Sequence, residues 1–289
     1  MAKRKAALLL LAVAATAHAD WTIRATDSEP GRAGIAHRHV VLENASGSES
    51  AVVDLAIFSA KSCTLRVIDN PTGETLSDTM PREKCAAGVN GGYFSVDFAP
   101  IGLLISDGRM IAPLQRARLI TGVLSASARR VQILRVREFS LREKIGAAVQ
   151  CGPFLVDHDE RVRGLNESTS ARRTFAAIAM NDRALLGVCS EISLAELATI
   201  LATTRLGDDL KIQRALNLDG GSSSAFWFAR DNGSASSIRE QKSVRDFVAV
   251  LPKLSCRAGA APAIFLIRQP ERSPYNLADE NIWRIQIRK

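Results

Sequence analysis

The sequence predicts an α+β fold: a single domain of mixed or antiparallel β-sheet with a few packed helices. Three observations carry that expectation. Short runs of apolar and β-branched residues recur along the chain, as buried and half-buried strands require. Gly, Pro, Asn and Asp punctuate them at hairpin distances. Only one segment has strong helical periodicity, so the regular strand–helix alternation that builds a parallel sheet is missing.

From the N-terminus, RHVVLEN (38–44), AVVDLAIFS (51–59) and CTLRVID (63–69) are expected as strands, closed by Asn70-Pro71 and Thr72-Gly73 turns. The next stretch, DNPTGETLSDTMPREK (69–84), is rich in turn residues. CAAGVNGGYF (85–94) is a short apolar strand running into glycines, and IGLLISDGRMI (101–111) is a hairpin turning at Asp107-Gly108. RARLITGVLS, RRVQILRV, CGPFLVD, RTFAAIAM and RALLGVC supply further strands. The helix is SLAELATILATTRLG (193–207). Ser193 and Glu196 form a capping box, Leu194, Leu197, Ile200 and Leu201 make one apolar stripe, and Gly207 is placed to end it. VRDFVAVL (244–251) is the last strong strand.

Residues 1–19 combine Lys3, Arg4 and Lys5 with an apolar run and the small-residue pattern Ala17-His18-Ala19. This is an export signal, cleaved near Ala19, and its apolar run is shorter than the ~20 residues of a membrane span. The expected organisation is a signal at 1–19, one domain over 20–252 and an extension over 253–289 packed on it. Such a protein is secreted or periplasmic, without a membrane span after signal removal. The formal charge of +8 falls when the signal is lost, the Lys and Arg are scattered and aromatics make up only 5%. These values argue against nucleic acid as a partner and for anionic sugars, phosphates or envelope polymers. Cys63, Cys85, Cys151, Cys189 and Cys256 all follow the signal, where disulfides persist, and their odd number leaves at least one unpaired. Cys63 with Cys85 is the expected pair, because it would tie the ends of the turn-rich segment.

The chemistry-bearing residues sit at glycines. NLDGGSSS (217–224) places Asp219 where a strand emerges, and Gly220 and Gly221 then allow close backbone approach or positive φ, with N–H groups open to an anion. The same letters also describe an Asp-Gly hairpin turn. NGGYF (90–94) repeats the form with Asn90 and Gly91, again either a turn or a ligand-facing exit. Arg172 and Arg173 open an apolar strand and point to opposite faces, so one can enter a cleft as a phosphate fork while the other stays in water. His37-x-His39 puts two imidazoles on one strand face without an evident third metal ligand, so no metal is expected. The absence of GxSxG, GxxxxGK[ST] and GxGxxG patterns argues against a serine triad and leaves no expected cofactor.

CAAGVNGGYF, CGPFLV, SARRTFAAI, SLAELATIL and ALNLDGGSSSAFW, in this order over residues 35–252, resemble the phosphodiester glycosidase family. The resemblance implies a hydrolase that cleaves the glycosidic bond of a sugar held through a phosphodiester, in a phosphorylated glycan or envelope polysaccharide. It implies a site with Asp219 and Arg173 as catalytic residues. Asn90, Gly91, Gly220, Gly221, Arg172 and Asn217 would bind substrate. Asp219 would act as general acid or base, or steady an oxocarbenium-like centre. Cys85 falls where a half-cystine precedes NGG in a member of the family, which supports its pairing with Cys63. Ser222 stands where the family usually has a third glycine, and FAAIA replaces a strand in which glycine is common. Asp97 is a candidate second carboxylate or a surface acid. A non-catalytic binder of phosphorylated envelope glycans and a phosphodiesterase cutting P–O remain as other readings.

Overall fold

The computed structural model describes residues 21–253 apart from 143, 208 and 209. The expected signal, the extension beyond Lys253 and Cys256 lie outside the described residues. The chain opens with β1 (Trp21–Pro30), β2 (Ala36–Asn44), β3 (Ser50–Ser59), β4 (Cys63–Asp69), α1 (Leu76–Arg82) and β5 (Ala87–Asn90). It continues through β6 (Leu104–Ser106), β7 (Arg109–Ala112), β8 (Gly122–Ser127), β9 (Val131–Arg135), β10 (Ile145–Cys151), β11 (Phe154–Asp157) and β12 (Glu160–Arg161). Last come β13 (Ala171–Ala179), β14 (Arg183–Ile192), α2 (Leu194–Thr203), β15 (Ile212–Asn217), β16 (Phe226–Ala229), β17 (Ala235–Ile238) and β18 (Asp246–Pro252).

Three sheets result, ordered β1-β2-β3-β14-β13-β15-β11-β12, β7-β6-β10-β8-β9 and β17-β16-β5-β18-β4. The pairings among the named strands are antiparallel. The fold is therefore α+β, with the antiparallel alternative realised.

Period-2 alternation explains the layers. On β3, Ala56 and Phe58 join the central core with Val89, Leu124, Phe154, Leu216 and Val248, whereas Val53, Leu55 and Ile57 face the opposite way. That opposite face packs on Leu197 and Ile200 of α2. On β18, Val248 and Val250 enter the central core while Phe247 and Ala249 meet Leu76 and Met80 of α1. Strands covered on both faces read as unbroken apolar runs, which is why AVVDLAIFS and VRDFVAVL carry so few polar residues.

The capping box on α2 forms as expected: Glu196 N–H donates to Ser193 Oγ (3.2 Å), and Ser193 N–H donates to Glu196 Oε2 (2.7 Å). The helix stops at Thr203, before Gly207, because Thr204 is already extended. Within the turn-rich segment the structure holds α1, capped by Thr75 Oγ1, which accepts from Asp78 N–H. Leu76 and Met80 anchor it, and their spacing of four places both on one helical face. CGPFLVD is not one strand. Cys151 ends β10 and Phe154 begins β11 of another sheet, with Pro153, which cannot donate to a ladder, at the corner.

The expected Cys63–Cys85 bond does not form; both thiols are free and buried. Strand β18 lies between β4, which starts at Cys63, and β5, which follows Cys85. Two strand spacings make about 9–10 Å, beyond the ~7 Å Cα limit of a disulfide. The two thiols also enter different core clusters, on opposite faces of the sheet.

A buried ionic cluster ties β1, β2 and β3 to the end of β16. His37 Nδ1 bonds Glu29 Oε1 (2.7 Å) and its Nε2 bonds Asp54 Oδ1 (2.9 Å), so the ring is an imidazolium donating from both nitrogens. Phe226 and Phe228 flank it, Arg230 Nε donates to Glu29 Oε2 (2.6 Å), and His39 Nδ1 also meets Asp54 Oδ1 (3.0 Å). Both imidazoles of the His-x-His pattern thus turn to one carboxylate. Burial opposes the charge on His37, but the bonds to Asp54 and Glu29 outweigh it and raise its pKa above 6.5. Burial likewise opposes ionisation of Asp54, where the two histidines prevail and lower its pKa.

A raised histidine pKa stabilises the fold fully below 6.5, and that contribution is lost as pH rises through the folded value. His37→Gln should therefore cost about 2 kcal/mol in slightly acidic buffer, and the deficit should shrink in alkaline buffer. Thermal unfolding of both proteins across pH checks this; a constant deficit contradicts the imidazolium assignment.

Candidate functional site

Five strand termini from all three sheets meet at one end of the molecule. β5 leaves at Asn90 and β18 enters at Asp246, with Phe247 opposite Asn90. β13 enters beside the exit of β15, with Phe175 opposite Asn217, and β10 leaves at Cys151. Past the ladder, Leu218 N–H donates to Thr174 O (2.8 Å) and Asp219 N–H donates to Gly91 O (3.0 Å). The backbone of Asp219 is thereby held between two sheets.

Asn90 is the clamp. Its Nδ2 donates to Asp219 O (2.7 Å), and its Oδ1 accepts from Thr174 Oγ1 (2.7 Å) and Ala225 N–H (3.0 Å). The residue is 0% exposed, so the amide expected to contact substrate is enclosed by protein. Gly91 is enclosed too: a Cβ there would lie 1.9 Å from Asp246 Oδ1, and only glycine admits that approach. The side chain of Asn217 is likewise turned inward, donating to Tyr93 Oη (3.1 Å) and to the carbonyls of Gly152 (3.0 Å) and Leu218 (2.7 Å).

Asp219 itself is half-buried, with Gly220 N–H on its Oδ1 (3.0 Å). Burial pushes its pKa up from the ordinary aspartate value; the Ser223 hydroxyl, the Lys242 ammonium and the Gly220 N–H act in the opposite sense. Ser223 Oγ stops short of hydrogen-bond geometry with any partner, so it acts here as a nearby dipole. Gly220 packs against Arg172 O, where a Cβ would come to 2.9 Å, and Gly221 has φ +61° and opens a short 3-10 turn, Gly221–Ser223. Arg172 holds this turn from outside, donating to Ser224 O (2.9 Å) and Gly221 O (3.3 Å).

Arg173 lies on the other side of its strand, half-buried, with Nε on Ile192 O (2.9 Å) and Nη2 on Thr169 O (2.6 Å). Its Nη1 has no protein acceptor among the described residues. Burial draws its pKa down, against the effects of Tyr93, Cys189 and Glu196. Tyr93 donates to Gly152 O (2.6 Å), and its phenol is raised by burial, then by Cys151 and Asp219, while Arg173 lowers it. The tyrosine thus lies within electrostatic reach of both Asp219 and Arg173.

Asp97 sits exposed on the loop beyond Tyr93. The second carboxylate near Asp219 is Asp246, which sequence reasoning missed. Its Oδ1 accepts from Gly92 N–H (2.9 Å), its backbone O accepts from Gly91 N–H (2.9 Å), and Oδ2 is buried without a hydrogen-bond partner. Burial, then the charges of Asp219 and Asp69, raise its pKa to about 7, with Gly92 N–H and Arg245 opposing. The signal was an acid at the head of an otherwise apolar strand, in VRDFVAVL. Asn217 Oδ1 and Ser224 Oγ are also buried without partners.

The profile of the phosphodiester glycosidase family matches residues 83–251. No curated protein matches the sequence. Among solved structures, a hypothetical protein from Synechocystis is 15% identical with a TM-score of 0.52, covering 76% of this chain and 62% of its own. The chain therefore spans less than two thirds of that protein. The catalytic domain of zebrafish N-acetylglucosamine-1-phosphodiester alpha-N-acetylglucosaminidase, auto-inhibited by its pro-peptide, is 15% identical with a TM-score of 0.53, covering 81% and 82%. A Burkholderia pseudomallei protein described as exported is 15% identical with a TM-score of 0.51, covering 70% and 74%. These likenesses are of fold.

With aspartate carboxyls labelled in carbon-13, the resonance that vanishes in Asp246→Asn should titrate near pH 7. The Asp219 charge contributes to that rise, so Asp219→Asn should lower the Asp246 pKa. If every aspartate titrates near the ordinary ~3.9, the buried pair is misassigned.

Proposed function

The chain belongs to the phosphodiester glycosidase family, and from that premise we propose that it hydrolyses the bond between an anomeric carbon and a phosphodiester oxygen. The carrying observation is Asp219, half-buried with a raised pKa, beside a tight glycine turn and within reach of a phenol that also senses Arg173. Water adds to the anomeric carbon while the C–O bond breaks, and the electron pair departs with the phosphate oxygen. A phosphate monoester is a weak base, so its departure needs little protonation. The remaining task for a carboxylate is to take the proton from water, and a raised pKa makes Asp219 a stronger base. Arg173, through its free Nη1, and the N–H groups of the glycine turn stabilise the charge growing on phosphate. Asn90, Gly91, Asn217 and Arg172 support these groups from within the protein.

The substrate class is a sugar-1-phosphodiester in a glycan or envelope polymer, and the protein is exported to reach it, secreted or periplasmic. Among the described residues, no helix is long and apolar enough to cross a membrane.

The purified protein, assayed on a synthetic sugar phosphodiester, should show kcat/KM rising with pH through an apparent pKa above 3.8. Asp219→Asn should lower kcat by about a hundredfold or more. Full activity in that variant, or a rate that falls as Asp219 ionises, contradicts the general-base role. In oxygen-18 water the label should enter the sugar; label in phosphate means P–O cleavage. Arg173→Ala should reduce turnover of phosphodiesters more than that of neutral aryl glycosides. Equal losses would remove the phosphate from its role.

A further inference from the structure

A concave surface lies on the sheet that contributes Cys151 to the candidate site. The end of the β7-β6-β10-β8-β9 sheet holds a cleft of about 820 Å³ lined by Arg116, Arg118, Arg135 and Arg137 over an apolar floor that includes Phe139. Asp157 is its one acidic lining residue among the described residues. That acid is already taken: Arg135 Nε donates to its Oδ2 (2.8 Å), and Arg214 Nε lies 3.3 Å from its Oδ1. The nearby Glu138 is occupied by Arg214 (2.6 Å). Arg116, Arg118 and Arg137 make no ion pair among the described residues, and residues 113–119 are exposed throughout. Glu138, already bonded to Arg214, offsets Arg137 only in part, so the three guanidinium groups around one hollow still repel one another and focus a positive field on it. A multiply charged anion relieves that repulsion and uses the planar donor forks.

The cleft borders the candidate site around Cys151 and Gly152. Gly122, at the start of β8, pairs with Cys151 on one side and Arg135 on the other, and Val136 N–H donates to Thr121 O (3.2 Å). These bonds bring the 116–121 segment against Gly152, where a Cβ would lie 2.2 Å from Leu119 O. The carbonyl of the same Gly152 accepts from Tyr93 Oη and Asn217 Nδ2 in the site. Gly152 is itself buried, so the cleft and the site are neighbours across one stretch of backbone.

We propose that this cleft is a subsite for additional phosphate groups, so that the enzyme acts on a polymer bearing repeated phosphates rather than on an isolated phosphodiester. The inference rests on the hydrolytic reading above but is tested without turnover. The probe is inorganic polyphosphate, titrated by calorimetry into the catalytically disabled Asp219→Asn protein with and without Arg116→Ala, Arg118→Ala and Arg137→Ala together. These exposed substitutions leave the core untouched.

The triple change should weaken polyphosphate binding about tenfold at low salt, from three exposed charge contacts. It should also flatten the salt dependence. In the active protein it should leave hydrolysis of a small sugar phosphodiester unchanged. Equal polyphosphate affinity with and without the arginines overturns the proposal. So does arginine-dependent binding confined to phosphatidylglycerol vesicles, which would make the cleft a membrane contact. Equal arginine dependence for orthophosphate and polyphosphate would reduce it to a single-anion site and overturn the polymer reading. Arginine-dependent polyphosphate binding by a protein that hydrolyses no sugar phosphodiester would keep the subsite and discard the catalytic reading.

Discussion

The buried amide of Asn90 binds three partners from three parts of the chain: the Asp219 carbonyl, the Thr174 hydroxyl and the Ala225 N–H. Each bond exists because strand ends from different sheets stop at the same place, and together they hold the Asp219 main chain. Breaking such a bond in a dry interior exposes nothing to water, so each partner left alone would carry its full desolvation cost. The position of the Asp219 main chain is thus set by neutral hydrogen bonds, while burial raises the pKa of its carboxyl.

That division recurs around the site. Gly91 exists to admit Asp246, and Gly220 to admit the Arg172 carbonyl. Arg172 spends its guanidinium on the turn that follows, whereas Arg173 keeps its Nη1 without a protein acceptor among the described residues. Asp219 and Asp246 sit on either side of the Gly91-Gly92 backbone in different surroundings, one partly open to solvent, the other enclosed. Two carboxyls whose surroundings separate their pKa values can divide the work of holding and moving a proton.

Much of this was legible in the sequence. AVVDLAIFS, CTLRVID and the Asp107-Gly108 hairpin read correctly because their alternation and turn chemistry are local. The capping box on α2 is local as well. Helix α1 is obscured by Pro81 within it and by Pro71 and Gly73 before it, although Thr75 and Asp78 carry a capping signal. The β10 to β11 corner has a local mark in Gly152-Pro153, but the apolar residues on both sides make CGPFLVD look like one strand. Asp219 and Arg173 stood out through their glycine and strand contexts. The fate of Asn90 could not be read, since an asparagine facing a ligand and one buried as a clamp are spelled alike. Asp246 and the arginine cleft depend on pairing between residues far apart in the chain. The Cys63–Cys85 expectation failed for the same reason: it assumed neighbours, and β18 lies between them.

The site assembled at the Asn90 clamp is best tested by a crystal structure with a non-hydrolysable sugar phosphonate ester. In this arrangement the anomeric carbon should lie within about 3.5 Å of a water held by Asp219, and the phosphonate oxygens should meet Arg173 Nη1 and the N–H groups of the 220–222 turn. A ligand seated elsewhere, or one whose phosphonate meets neither the guanidinium nor the turn, would contradict it.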